Sequence, residues 1–88
     1  EIYFMRYFIY ILYSDSKGKY YIGSTAELEK RLLRHNQGAT KSTKGGRPWR
    51  IVYSETYEDK TEALKRELYI KRMKSRIYIE NLIENFKI

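Results

Sequence analysis

Residues 7–23 read YFIYILYSDSKGKYYIG, and the fold turns on this stretch. Positions 7–13 form an unbroken apolar and aromatic run rich in strand formers. A run without polar alternation predicts a strand covered on both faces. Ser14-Asp15-Ser16-Lys17-Gly18 then predicts a polar turn in which Gly18 is free to take positive φ. Residues 19–23 return as a second strand, so the stretch is an antiparallel hairpin.

Downstream, Ser24-Thr25-Ala26-Glu27 has the spacing of a capping box. It predicts a helix from that point through Leu28, Leu32 and His35, stopping near Gly38. Residues 37–48 lack periodicity and carry Lys41, Lys44 and Arg47, which predicts a flexible basic loop. The aromatic and β-branched stretch 49–57 predicts the third strand. Asp59 is the expected cap of a second helix running to about Lys74. Ser75 is the expected cap of a last one, with Ile79, Leu82, Ile83 and Phe86 as its apolar stripe. The order β-β-α-β-α-α predicts an α/β (α+β) fold, a small three-stranded antiparallel sheet flanked by helices. The expected single domain spans residues 5–88; residues 1–4 read as a vector-derived or fragment start.

A chain of 88 residues has room for one core. The absence of cysteine excludes disulfides, thiolate zinc sites and cysteine nucleophiles, and fits a reducing compartment. One histidine excludes a multi-histidine metal cage. A formal charge of +7 and a pI near 9.6 point to a polyanionic partner, nucleic acid first and an acidic membrane surface or protein second. No apolar run is long enough to span a membrane and no secretion signal is readable, so the expected location is cytoplasmic.

Several residues carry chemistry. On helical spacing Glu67 lies between Ala63 and Leu64 with Ile70 beside it, a carboxylate on an inward face. Such a group needs a cation, a metal or hydrogen-bond donors, and a structural ion pair is the plain alternative. Arg31 and His35 are spaced i, i+4 at the edge of the Leu28/Leu32 stripe. Arginine matches phosphate oxygens, and histidine titrates near neutrality; a solvated arginine and a boundary histidine are the alternatives. Tyr10 and Tyr21, on neighbouring strands, share a sheet face if the hairpin forms. They either handle protons or fill space, and a phenolate at neutral pH needs a nearby cation. Lys65, Arg66, Lys71, Arg72, Lys74 and Arg76 are opposed by few acids in the sequence, which predicts a phosphate-backbone track with steep salt dependence.

With these residues in order, the chain resembles the GIY-YIG endonuclease superfamily. It is most like the small single-domain members and similar to the nuclease domain of the repair protein UvrC. Phe8-Ile9-Tyr10 stands at the family's Gly-Ile-Tyr and Tyr21-Ile22-Gly23 at its Tyr-Ile-Gly, with Gly23 the structural glycine. Residues 28–32 fall on the helix bearing the family's arginine, Arg31. His35 falls where relatives have His or Tyr, and residues 62–67 on the segment ending in the metal-binding glutamate. Phe8 replaces the first glycine of the motif, and Ser24 stands where the UvrC-like domains have lysine.

The resemblance implies a divalent-metal-dependent endonuclease acting on DNA in repair or recombination. A single Mg²⁺ or Mn²⁺ sits on Glu67, Arg31 holds a nonbridging oxygen, and Tyr10 or Tyr21, aided by His35, takes the proton of the attacking water. Lys41, Lys44, Arg47, Lys65, Lys71, Arg72 and Lys74 are the expected nucleic-acid contacts. Intrinsic sequence specificity is expected to be low, or supplied by a protein partner. The rival readings are a non-catalytic nucleic-acid-binding module with a nuclease-like fold, and an interaction protein that docks an acidic partner.

Overall fold

An apolar run needs cover on both sides, and the first strand obtains it from the rest of the chain. In the computed structural model, which describes residues 6–86, β1 (Tyr7–Ser14) is the central strand of a three-stranded antiparallel sheet. β2 (Lys19–Thr25) flanks it on one side and β3 (Trp49–Tyr57) on the other. Helix α1 (Leu28–Asn36) follows the hairpin, and α2 (Lys60–Met73) and α3 (Arg76–Phe86) follow β3. The order is the expected β-β-α-β-α-α.

Strand periodicity sorts β1 between two cores. Ile9 and Ile11 pack with Tyr53, with Ala63 and Ile70 of α2, and against Ile79, Leu82 and Ile83 of α3. Tyr10 and Leu12 face the opposite way, onto Trp49, Tyr21 and the Leu28/Leu32 stripe of α1. The domain is therefore three layers, α1 on one face of the sheet and α2 with α3 on the other. Each fully buried isoleucine or leucine contributes about 1.5–3 kcal/mol.

A bulge in β3 decides what reaches each layer. Ile11 pairs with Tyr53 but Leu12 pairs with Ile51, so Val52 is the extra residue. An inserted residue reverses the in–out parity beyond it. Tyr53, Glu55 and Tyr57 thus belong to the α2/α3 side, while Ile51 and Trp49 cross to the α1 side.

Two local expectations change. The 24–27 capping box does not start a helix, because the sheet ladder claims Ser24 and Thr25. Phe8 pairs with Thr25 and Ile9 with Ser24, and α1 begins only at Leu28. Thr25 Oγ1 accepts from the Glu27 amide at 3.1 Å instead. The segment 37–48 is not a free loop either. It contains a 3-10 turn, Lys44–Gly46, and buries Thr43 and Gly46. The Trp49 indole Nε1–H donates to the Thr43 carbonyl at 2.7 Å, and its ring lies where a Gly46 side chain would have to go. Asn36 brackets the Trp49 backbone, donating to its carbonyl at 3.0 Å and accepting from its amide at 2.6 Å.

Asp59 and Ser75 cap as expected. Asp59 Oδ1 accepts from the Thr61 amide at 2.8 Å and Ser75 Oγ from the Tyr78 amide at 3.1 Å. Gly38 ends α1's turn at φ 78°, a value suited to glycine.

A polar clamp joins β3, α2 and α3. Arg66 donates twice from Nε and once from Nη2 to the Glu55 carboxylate, at 3.0–3.2 Å, and its Nη1 reaches the Tyr78 hydroxyl at 3.3 Å. Tyr53 and Tyr57 also donate to Glu55, the latter at 2.6 Å. Burial alone pushes the Glu55 carboxyl up, but Arg66 and the two phenols outweigh it and hold it below its ordinary value. Burial and the same carboxylate push Tyr53 and Tyr57 up to about 12. No described helix is long and apolar enough to cross a membrane, and the expected vector-derived or fragment start at 1–4 lies outside the described residues.

Candidate active site

The hairpin register places the two phenols on one face. Tyr10 lies opposite Gly23, and Tyr21 lies opposite Leu12, one pleat further along. Because Gly23 has no side chain, the Tyr10 ring lies across it. A Cβ there would stand 2.5 Å from Tyr10 Oη and 2.6 Å from Cζ. Gly23 is therefore required by the close approach of the tyrosine. The Tyr10 and Tyr21 ring centroids are 6.4 Å apart.

Helix α1 covers these rings with His35. The Tyr21 and His35 rings meet edge to face at 4.9 Å, and Tyr10 Oη lies 3.1 Å from His35 Nε2. Nδ1 lies 2.8 Å from Thr43 Oγ1. The sequence expects a histidine at the boundary; the structure buries it completely, because the 37–48 segment folds over it. Burial, then the charges of Arg31 and Arg34, hold the imidazole below its ordinary pKa, which favours the neutral ring.

Exposure separates the two phenols. Tyr10 is 1% exposed, whereas Tyr21 is half-buried at the surface of the site. Burial raises the Tyr10 pKa, and contact with Arg31 opposes that rise only in part. Arg31 lies against both phenols, and its own pKa rises chiefly through Tyr10. Its Nε is buried and has no hydrogen-bond partner among the described residues.

Glu67 arrives from the other layer. It sits on α2, and its negative charge is felt at Tyr10, raising that phenol's pKa. Its side chain is 14% exposed, and Oε2 accepts from Lys71 Nζ at 2.6 Å. Ala63 and Ile70 beside it are buried as expected, but Leu64 is largely exposed.

The basic residues are less free than the sequence suggests. Lys65 pairs with Glu62, Arg66 with Glu55, Lys71 with Glu67 and Arg76 with Glu80. Helical spacing supplies three of these acids and β3 the fourth. Lys41, Lys44, Arg47, Arg72 and Lys74 are exposed and form no salt bridge with described residues.

A metal would have a narrow choice of protein ligands. Among the described residues no group of three acidic, histidine or cysteine side chains comes together. A hard cation that keeps most of its waters suits one carboxylate plus substrate oxygens, and the half-buried Glu67 fits that demand. The sequence offered no signal for Thr43, Asn36 or Trp49, whose roles arise from contacts between the 37–48 segment and α1.

The model of a family described as the GIY-YIG catalytic domain matches residues 6–81. The UPF0213 protein of Staphylococcus saprophyticus is 43% identical over 67 residues, spanning 75% of this chain and 80% of that protein. A UPF0213 protein of Staphylococcus aureus is 46% identical over 66 residues, 74% of this chain and 79% of that one. The solution NMR structure of a UPF0213 protein from Bacillus halodurans superposes with a TM-score of 0.58 at 32% identity, covering 91% of this chain and 84% of that one.

Proposed function

Because the chain belongs to the GIY-YIG catalytic-domain family, a family of nuclease domains acting on nucleic acid, we propose that it is a divalent-metal-dependent endonuclease. Its substrate is DNA, its intrinsic sequence specificity is low, and its work lies in repair or recombination. The observation that carries this reading is the convergence of Tyr10, Tyr21, Arg31 and His35 on one sheet face, within electrostatic reach of Glu67.

Each side chain then has a task. Arg31, whose Nε has no partner among the described residues, holds a nonbridging phosphate oxygen as charge grows on it. Tyr21 is the phenol at the surface, so its Oη takes the proton of the attacking water. Arg31 is the neighbouring cation. Tyr10 and His35 lie beneath, too buried to touch substrate, and act by positioning Arg31 and Tyr21. A Mg²⁺ or Mn²⁺ on Glu67 would stabilise the leaving 3′-oxygen. Lys41, Lys44, Arg47, Arg72 and Lys74 are available for the phosphate backbone, and Lys65 and Lys71 join them when phosphate displaces their partners.

One observation favours the rival reading of a binding module: Lys71 already neutralises Glu67. A panel of flapped, branched and duplex DNAs, with matching RNAs, separates the two when incubated with Mg²⁺, Mn²⁺ or EDTA. The nuclease reading expects 5′-phosphate and 3′-hydroxyl ends on DNA, formed only with divalent ion. Binding without cleavage under every condition would leave only the module.

A further inference from the structure

The single histidine is tied to a residue that neither the family motifs nor the proposed roles include. Thr43 is fully buried, and its hydroxyl lies between His35 Nδ1 at 2.8 Å and the Thr40 carbonyl at 3.3 Å. The hydroxyl has one hydrogen, and giving it to the Thr40 carbonyl, which can only accept, leaves Oγ1 as an acceptor toward His35. Thr43 Oγ1 then accepts from His35 Nδ1–H. In a neutral imidazole that leaves Nε2 with a lone pair, and Nε2 faces Tyr10 Oη at 3.1 Å. Tyr10 donates to it.

We infer that Thr43 is a positioning residue for the site: it fixes the His35 tautomer so that Tyr10 donates inward and keeps its oxygen free to accept from Arg31. The opposite tautomer breaks this order at two points. Thr43 would have to give its hydrogen to Nδ1 and lose Thr40. Tyr10, receiving Nε2–H, would have to turn its own hydrogen elsewhere, and Arg31 offers only donors. Thr43 itself is held by three backbone contacts. Its amide donates to the Thr40 carbonyl at 3.2 Å, its carbonyl accepts from the Gly46 amide at 3.2 Å, and it also accepts the Trp49 indole at 2.7 Å. The 3-10 turn after Thr43 and the indole over Gly46 thus act on Arg31 through a hydroxyl, an imidazole and a phenol.

The catalytic consequence rests on the nuclease reading, but the tautomer does not. With one histidine in the chain, ¹⁵N spectra of the untagged protein at neutral pH report one imidazole. Two-bond couplings to the ring protons tell Nδ1 from Nε2. The expected wild-type spectrum has a protonated Nδ1 and a bare Nε2. Thr43→Val should move the ring toward the Nε2–H form and lower the cleavage rate at saturating DNA about 10- to 100-fold, while Thr43→Ser restores both. A wild-type ring protonated at Nε2, or a Thr43→Val protein with an unchanged tautomer, would overturn the inference. Should Thr43→Val fail to fold, the wild-type spectrum alone decides. Absence of cleavage by the wild type would sink the nuclease reading and leave the tautomer result standing.

Discussion

Glu67→Gln should lower DNA cleavage by about a thousandfold or more while leaving DNA binding and thermal stability nearly unchanged. The reasoning separates two roles for the carboxylate. As a structural partner it has only Lys71 among the described residues, and that lysine is 46% exposed. A partly exposed i, i+4 pair contributes about 0–1 kcal/mol, so its loss shifts the melting temperature little. As the ligand of a divalent ion it supports several kcal/mol of transition-state stabilisation, and about 4 kcal/mol corresponds to a thousandfold in rate. Lys71→Met is the control: it breaks the same ion pair from the other side. If Glu67 serves only that pair, the two variants behave alike. The metal-ligand assignment requires Lys71→Met to retain cleavage at saturating DNA while Glu67→Gln loses it.

The second large effect is on stability. Arg66→Met should destabilise the domain by about 2–3 kcal/mol, because among the described residues it leaves the half-buried Glu55 carboxylate with only the Tyr53 and Tyr57 hydroxyls. That figure lies at or below the low end of the range for a buried pair, since Arg66 and Glu55 remain 24% and 21% exposed. For a domain of this size the melting temperature should fall by about 10–20 °C. The clamp also sets two pH limits in the wild type. Glu55 is held below its unfolded value of 4.5, so its contribution is present above that pH and is lost as pH falls through the depressed value. Tyr53 and Tyr57 are raised from 10.0 to about 12, so their contribution is present below pH 10 and is lost as pH rises toward 12. Denaturant unfolding across pH checks both limbs. An Arg66→Met protein as stable as the wild type, or one with the same acid limb, would show that the clamp is incidental.

What the sequence made legible was local. The 7–13 run is long, apolar and followed by a glycine turn, so a strand covered on both faces follows from composition alone. Asp59 and Ser75 cap helices through contacts two or three residues away, a distance at which sequence spacing is a reliable guide. The shared face of Tyr10 and Tyr21 follows from a hairpin register with one short turn.

The rest depended on residues distant in sequence. Trp49, Ile51, Tyr53 and Glu55 have the same parity, yet the Val52 bulge splits them between two cores. Nothing in WRIVYSETY marks the break. Ser24 and Thr25 suit a helix cap, but pairing with Ile9 and Phe8 keeps them in the sheet. Arg66 reads as one of a row of surface cations until Glu55 is brought beside it from β3. His35 reads as a boundary residue until Thr43 closes over it. The carboxylate of Glu67 is plain in the sequence, but its arrival from the layer opposite the tyrosines is not.

That arrival is the point on which the account rests, because Tyr21, Arg31 and Glu67 must serve one site although the sheet separates the helices of Arg31 and Glu67. Paramagnetic broadening by Mn²⁺, titrated into isotope-labelled protein, measures it directly. The account predicts that residues around Glu67 and the Tyr10, Tyr21 and His35 signals broaden together, and that Glu67→Gln abolishes the broadening at all of them. Broadening confined to the neighbourhood of Glu67, with the tyrosines and histidine unaffected, would contradict a single site.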